Sequence, residues 1–236
     1  MKTALSLIVG LSALAGTAQA FEFKGAEIGL SYSSFFDEAE DDSVATTTLD
    51  GSAEFGFGQN FYVQVDLARH DFSLISESGT TAAVHGIYSL NEQLALGAFY
   101  ENSDIDDSIG SFGIEGKYDF GLGYAEAYFQ KDNEDDVDLT LLGIMGSWDM
   151  SEQLAITAAY DYVDIEDFSA EADANVYTFG VRYNLVENTT LTAELGLADG
   201  DGDSEGFFGL GIEYNFGPNR GTTFGKRGLF NVFPGL

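Results

Sequence analysis

The chain has no cysteine, only nine Lys and Arg among its 236 residues, and, beyond residue 20, no apolar run near the length of a membrane helix. Without cysteine, neither a disulfide nor a thiolate metal site can form. Forty acidic residues outweigh the few basic ones and leave a formal charge of −31. That balance excludes nucleic acid as a partner, because phosphate must be neutralised by Lys and Arg. A membrane helix takes about 20 consecutive apolar residues. If the chain crosses a bilayer it must therefore do so as a closed barrel, which satisfies every backbone polar group in lipid.

What is present begins with a different kind of sequence. Lys2, the run "ALSLIVGLSALAG" and the small-residue site "AQA" at 18–20 read as a secretory leader removed after Ala20. The remaining 216 residues, 21–236, are long enough for one all-β domain. Acidity on this scale often means disorder, but 14% aromatic and 44% hydrophobic residues supply ample surface to bury.

Apolar residues alternate with small or polar ones throughout. Phe112, Ile114, Gly116 and Tyr118 share one face opposite Ser111, Gly113, Glu115 and Lys117, and Leu154, Ile156, Ala158, Tyr160 and Tyr162 lie opposite Ala155, Thr157, Ala159 and Asp161. A period of two marks strands with two different faces. About twelve such segments are predicted, at 25–35, 45–57, 61–70, 80–89, 94–102, 109–119, 123–130, 137–148, 154–163, 175–185, 189–198 and 206–216. Both faces of 137–148 are apolar, so its orientation is ambiguous.

Short turns near Gln59, Asn91, Leu122, Ser151 and Glu187 alternate with longer acidic connections at 37–42, 71–79, 101–107, 131–138, 164–173 and 199–205. Transmembrane barrels pair short periplasmic turns with longer external loops in this way. "GIYSLNEQLALGAFYENSDI" (86–105) aligns without gaps to "GSWDMSEQLAITAAYDYVDI" (146–165), as duplicated hairpins would. Aromatic residues cluster at both predicted strand ends, among them Phe61, Tyr88, Tyr118, Tyr124 and Trp148 beside the short turns and Tyr32, Phe72, Tyr100 and Phe129 beside the long ones. Two girdles at the lipid–water boundary would need this arrangement. The competing reading is the aromatic core of a soluble β-sandwich.

The leader, the strand–turn phrases "GIYSLNEQLALGAFYE" and "VRYNLVENTTLTAELGLADGDG", and "GFFGLGIEYNF" together resemble the bacterial outer-membrane β-barrels, and especially the Gram-negative porin family. The likeness covers essentially all of 25–216. It implies a single antiparallel up-and-down transmembrane barrel in the outer membrane, in contact with lipid and lipopolysaccharide and passing small hydrophilic solutes. It also implies that Tyr214 and Phe216 carry the signal read by the barrel-assembly machinery. The chain is too short for sixteen strands at this spacing, and no loop is long enough to fold inward as a constriction.

The inward face combines small residues such as Gly97, Gly113, Gly196 and Gly209 with charged ones. Twelve strands lined in this way predict a narrow water-filled pore. Glu27, Asp50, Glu54, Asp66, Glu115, Glu126, Asp161, Glu194 and Glu213 are balanced only by Lys117, Arg182 and His85. Negative potential focused by a low-dielectric wall predicts cation preference. The rival is a non-conducting structural or surface-interaction barrel filled by a salt-bridge network. Asp66 falls roughly opposite His85 across the hairpin 61–90, but no serine stands beside them, so a structural pair is expected and catalysis is not.

No cofactor is implied. The external acidic loops offer hard oxygen ligands for weak Ca²⁺ or Mg²⁺ binding, and Asp199, Asp201, Asp203 and Glu205 form the sharpest candidate, although Ser204 stands where a calcium loop needs glycine. A solvated, aggregation-resistant face is the simpler reading of these loops. The last twenty residues, 217–236, break this acidic pattern: they hold Arg220, Lys226 and Arg227, many glycines and no acid. Two fates are open to this tail. It folds into the acidic mouth as a plug, with Phe224, Phe230 and Phe233 packed inside, or it stays a disordered periplasmic extension. The readiness of chain ends to fray favours the second. Neither the solute nor the oligomeric state is legible.

Overall fold

The computed structural model describes residues 21–36, 45–73, 78–105, 108–132, 137–167, 171–200, 203–219 and 221–232. Residues 1–20, Asp201, Arg220, Phe233 and part of each external acidic stretch, including all of 37–42, fall outside them. Twelve strands form: β1 Phe21–Phe35, β2 Ala45–Phe57, β3 Phe61–Phe72, β4 Ser78–Ser89, β5 Leu94–Asp104, β6 Ser108–Asp119, β7 Gly123–Asp132, β8 Val137–Asp149, β9 Leu154–Asp167, β10 Glu171–Val186, β11 Thr189–Gly200 and β12 Asp203–Phe216. Each pairs antiparallel with its neighbours in sequence, and β1 pairs with β12 to close the barrel.

At the short-turn end the strand limits agree with the periodicity to within one residue, apart from β1, which begins at Phe21 rather than 25. At the other end several strands run up to four residues further than predicted. Polar residues there read as loop, yet above the lipid a strand needs no apolar face to stay paired. Cross-hairpin contacts such as Lys131–Asp138 (2.6 Å) and Asn102 to Ser108 (2.6 Å) continue the ladders. The duplicated hairpins share one turn chemistry. Asn91 Oδ1 accepts from the amides of Gln93 and Leu94, and Ser151 Oγ accepts from those of Gln153 and Leu154.

The two faces of the wall separate cleanly. On β6, Phe112 and Ile114 are 52% and 64% exposed on the outside, whereas Ser111 and Glu115 are 2% and 5% exposed within. An apolar belt of this extent is unsuited to water and matches a lipid-facing band. Two residues assigned to the girdles belong elsewhere. Tyr124 points into the lumen beneath Lys117, whose Nζ lies 4.1 Å from the ring centroid, and Phe72 is buried against His70. In β7 and β3 these rings share the parity of Glu126 and Asp66, and parity outweighs proximity to a strand end.

The small inward residues also do something other than leave space. A side chain at Gly113 would collide with the Phe99 ring from the neighbouring strand, and one at Gly196 with that of Phe207. Glycines therefore accept large cross-strand neighbours, which line the lumen in their place. Gly113→Val is expected to cost about 1–3 kcal/mol through overpacking, seen as a lower temperature for the heat-induced mobility shift of the folded barrel on SDS gels. Gly116→Val, on the lipid side against the flexible end of Leu96, should leave that temperature unchanged.

Candidate functional site

β12 ends at Phe216, and Gly217 (φ 91°) turns the chain back over the barrel rim. The Asn219 amide donates to the Lys24 carbonyl at 2.7 Å, beside the register shift between Phe23 and Gly25 in β1. A Cβ on Gly25 would overlap the carbonyl of Gly221, so the bulge and its glycine form the doorway by which the tail enters. Residues 221–232 then run up inside the lumen. The sequence favoured a disordered periplasmic tail; the fraying tendency of a chain end is overcome here because the wall offers partners for its backbone, its cations and its rings.

Along the way the wall reads the tail's backbone. The Thr223 amide donates to Glu54 (2.8 Å), and its carbonyl accepts from Lys117 Nζ (2.5 Å). Both peptide groups of Phe224 meet the carboxamide of Gln64, which accepts from the amide at 3.1 Å and donates to the carbonyl at 2.9 Å. The Gly225 amide donates to Glu126 (3.1 Å).

Two adjacent cations follow. Lys226 bridges Glu27 of β1 (2.6 Å) and Asp50 of β2 (2.5 Å). Arg227 donates to Glu115 of β6 through Nε (3.0 Å) and Nη2 (2.9 Å), reaches Glu126 of β7, and lies over the Tyr128 ring at 4.7 Å. His85 extends this cluster: Nδ1 is 2.7 Å from Glu115, and Nε2 is 2.9 Å from Asp66, within ion-pair range but not aligned as a hydrogen bond. The sequence anticipated the Asp66 contact but not Glu115. Burial opposes the charged forms of Arg227 and Lys226, but the carboxylates outweigh it and raise both well above their ordinary values. Both stay protonated and compensate acids that would otherwise be buried uncompensated.

Apolar contacts anchor the rest. Phe224, 2% exposed, packs with Ile87, Ala95 and Tyr62. Phe230 meets Phe72 and His70 edge-on. Leu229 and Val232, in the single helical turn α1 (Leu229–Val232), cover inward-facing Leu139, Leu141 and Val163. Sequence reasoning missed Ile87, Leu139, Leu141 and Val163. The ambiguity of 137–148 was the available signal, since leucine on a lumenal face calls for an apolar occupant.

The tail covers mainly one side. Inward residues of β2–β7, among them Glu54, Gln64, Asp66, His85, Glu101 and Gln130, are buried, whereas Thr157, Asp161, Arg182, Glu194 and Glu213 on β9–β12 are half-buried or exposed. A cavity of about 550 Å³ lies toward the short turns, beside Glu27, Lys117, Glu126, Arg182 and Glu213. One of about 250 Å³ lies beyond it, beside Asp161 and Glu194. Lys226 lines both. Arg182 pairs with Glu213 (3.3 Å), and Asp161 accepts from the Tyr128 hydroxyl (2.8 Å). Every lumenal residue singled out from sequence thus faces the interior, eight of them (Glu27, Asp50, Glu54, Asp66, His85, Glu115, Lys117 and Glu126) in the network around the tail and four (Asp161, Arg182, Glu194 and Glu213) on the open wall.

The remaining candidates lie on other surfaces. Tyr214 and Phe216 are exposed on the outer face and stack on each other at 6.2 Å. Asp199 accepts from Ser204 (2.5 Å) at the top of the β11–β12 hairpin, with Asp203 and Glu205 exposed nearby. Among the described residues, no three acidic or histidine side chains are gathered as a metal site would require.

Arg227→Met is expected to free the tail rather than unfold the barrel, because removing one partner of a buried charge cluster costs about 3–5 kcal/mol. Protease cleavage within 221–232 of the folded barrel should rise at least about a hundredfold. Cleavage at the native rate would show that the cluster does not hold the tail.

Two solved porins share this architecture. The KdgM porin matches with a TM-score of 0.59 at 10% identity, over 81% of this chain and 99% of its own. The NanC porin matches with a TM-score of 0.62 at 9% identity, over 80% and 98%. No curated protein sequence matches. The family model for Gram-negative porins matches residues 6–203, which takes in β1–β11 and stops short of the tail. With that match over most of its length and a closed twelve-stranded barrel around a lumen, the chain belongs to the Gram-negative porin family, outer-membrane channels for small solutes.

Proposed function

We propose that this porin is a narrow, cation-preferring diffusion channel whose solute path follows the β9–β12 wall past the tail. The observation that carries this reading is the one-sided filling of the lumen: the β2–β7 wall is covered, and the opposite wall stays accessible. Six carboxylates line the larger cavity and two the smaller, against four basic side chains in all. Within a low-dielectric wall that excess concentrates cations along the path. Lys226 stands where the two cavities meet, and its charge is spent on Glu27 and Asp50. The KdgM porin has been solved in complex with disordered oligogalacturonate; the acidic lining here disfavours a polyanion of that kind.

The same reading extends to the protein's surroundings. The leader is removed after Ala20, Tyr214 and Phe216 present the final strand to the assembly machinery, and the external carboxylates take up Ca²⁺ or Mg²⁺ weakly where they face lipopolysaccharide. Calorimetric titration of the folded barrel with Ca²⁺ tests the last point; an absence of binding heat removes it.

Planar-bilayer recording tests the channel itself. Discrete conductance steps with a reversal potential favouring cations are expected, and Asp161→Asn with Glu194→Gln should move that potential toward zero. Absence of steps, or an anion preference in the native protein, overturns the proposal.

A further inference from the structure

The contacts around the tail have the form of peptide recognition. One slot, built from Ile87, Ala95 and Tyr62 and kept open by Gly97, holds the Phe224 ring; a Cβ on Gly97 would come within 2.8 Å of that ring. A carboxylate pair from β1 and β2 takes Lys226, and another from β6 and β7 takes Arg227. Backbone groups of 223–225 are read by Glu54, Gln64, Lys117 and Glu126. Side-chain pockets for specificity combined with backbone hydrogen bonds for affinity are the means by which extended peptides are selected.

The steric record completes a motif. At Gly225 an added Cβ would sit in ordinary contact, 3.6 Å from Glu126, so this position tolerates other residues. At Gly228 (φ 101°) it would strike the Glu101 carboxylate, so glycine is required.

We infer that the β1–β7 side of the lumen is a binding site for an extended cationic peptide of the pattern aromatic–x–Lys–Arg–Gly, occupied in the resting protein by the chain's own tail. The tail is then a resident ligand, and its departure leaves a wider lumen that a matching peptide closes again. The binding claim stands apart from conduction, whereas the closing claim rests on the channel reading above.

The test uses the full chain with a protease site inserted between Pro218 and Asn219, folded with its tail in place, then cleaved and washed at high salt. A fluorescent peptide of residues 221–232 should bind the cleaved barrel saturably, by anisotropy, and should not bind the uncleaved one. Replacing Lys226 and Arg227 by Gln in the peptide should weaken binding at least about a hundredfold, and Phe224→Ala at least about tenfold. In bilayers the cleaved, washed barrel should conduct more than the uncleaved one, and added peptide should restore the lower level. Barrels that are silent in both forms yet bind the peptide would overturn the channel reading and support the site. The site is overturned if a scrambled peptide of the same composition binds equally, if the uncleaved barrel binds as well as the cleaved one, or if the cleaved barrel binds nothing.

Discussion

The interior of this barrel depends on charge compensation. Glu115 and Glu126 project from adjacent strands into a lumen bounded by protein and lipid, where an uncompensated carboxylate is costly. Among the described residues, the strands themselves place His85 and Lys117 nearby, the latter 3.7 Å from Glu126. Arg227, 3% exposed, joins both acids, and Lys226 does the same for Glu27 and Asp50. Without these two neighbouring cations the acidic wall would have to hydrate, and the space now held by the tail would be water.

That compensation explains why the lumen is filled unevenly. Once Arg227 and Lys226 are seated on β1, β2, β6 and β7, Phe224 is drawn into its slot on β4 and β5, and Leu229 and Val232 fall onto β8 and β9. The β10–β12 wall is left largely uncovered and keeps Glu194 exposed to the cavity. One arrangement thus produces both a well-packed polar and apolar core and an accessible acidic surface beside it. The covered wall and the accessible wall are separate parts of the same barrel.

Much of the architecture was legible beforehand. Alternation identified all twelve strands, and the parity of Glu27, Asp66, Glu115, Asp161 and Glu194 indicated their inward direction. Tyr124 and Phe72 were misread because strand-end position was allowed to outweigh parity. The inward glycines were misread as empty space because their occupants, Phe99 and Phe207, come from neighbouring strands whose register the periodicity does not specify. Leu139 and Leu141 looked ambiguous because their partner is the tail, which no local pattern connects to β8.

The sequence by itself determined the fold. Lipid on one side of a strand and lumen on the other impose a binary code that is read two residues at a time, so local pattern is enough. Only the tertiary structure decided what occupies the lumen. Lys226 meets Glu27 across 199 positions and Arg227 meets Glu115 across 112, and contacts at such separations carry no periodic signature. The opposing charges of tail and barrel were visible in composition, but their union depended on a bulge at Gly25, a turn at Gly217 and a wall shaped to receive one ring and two cations.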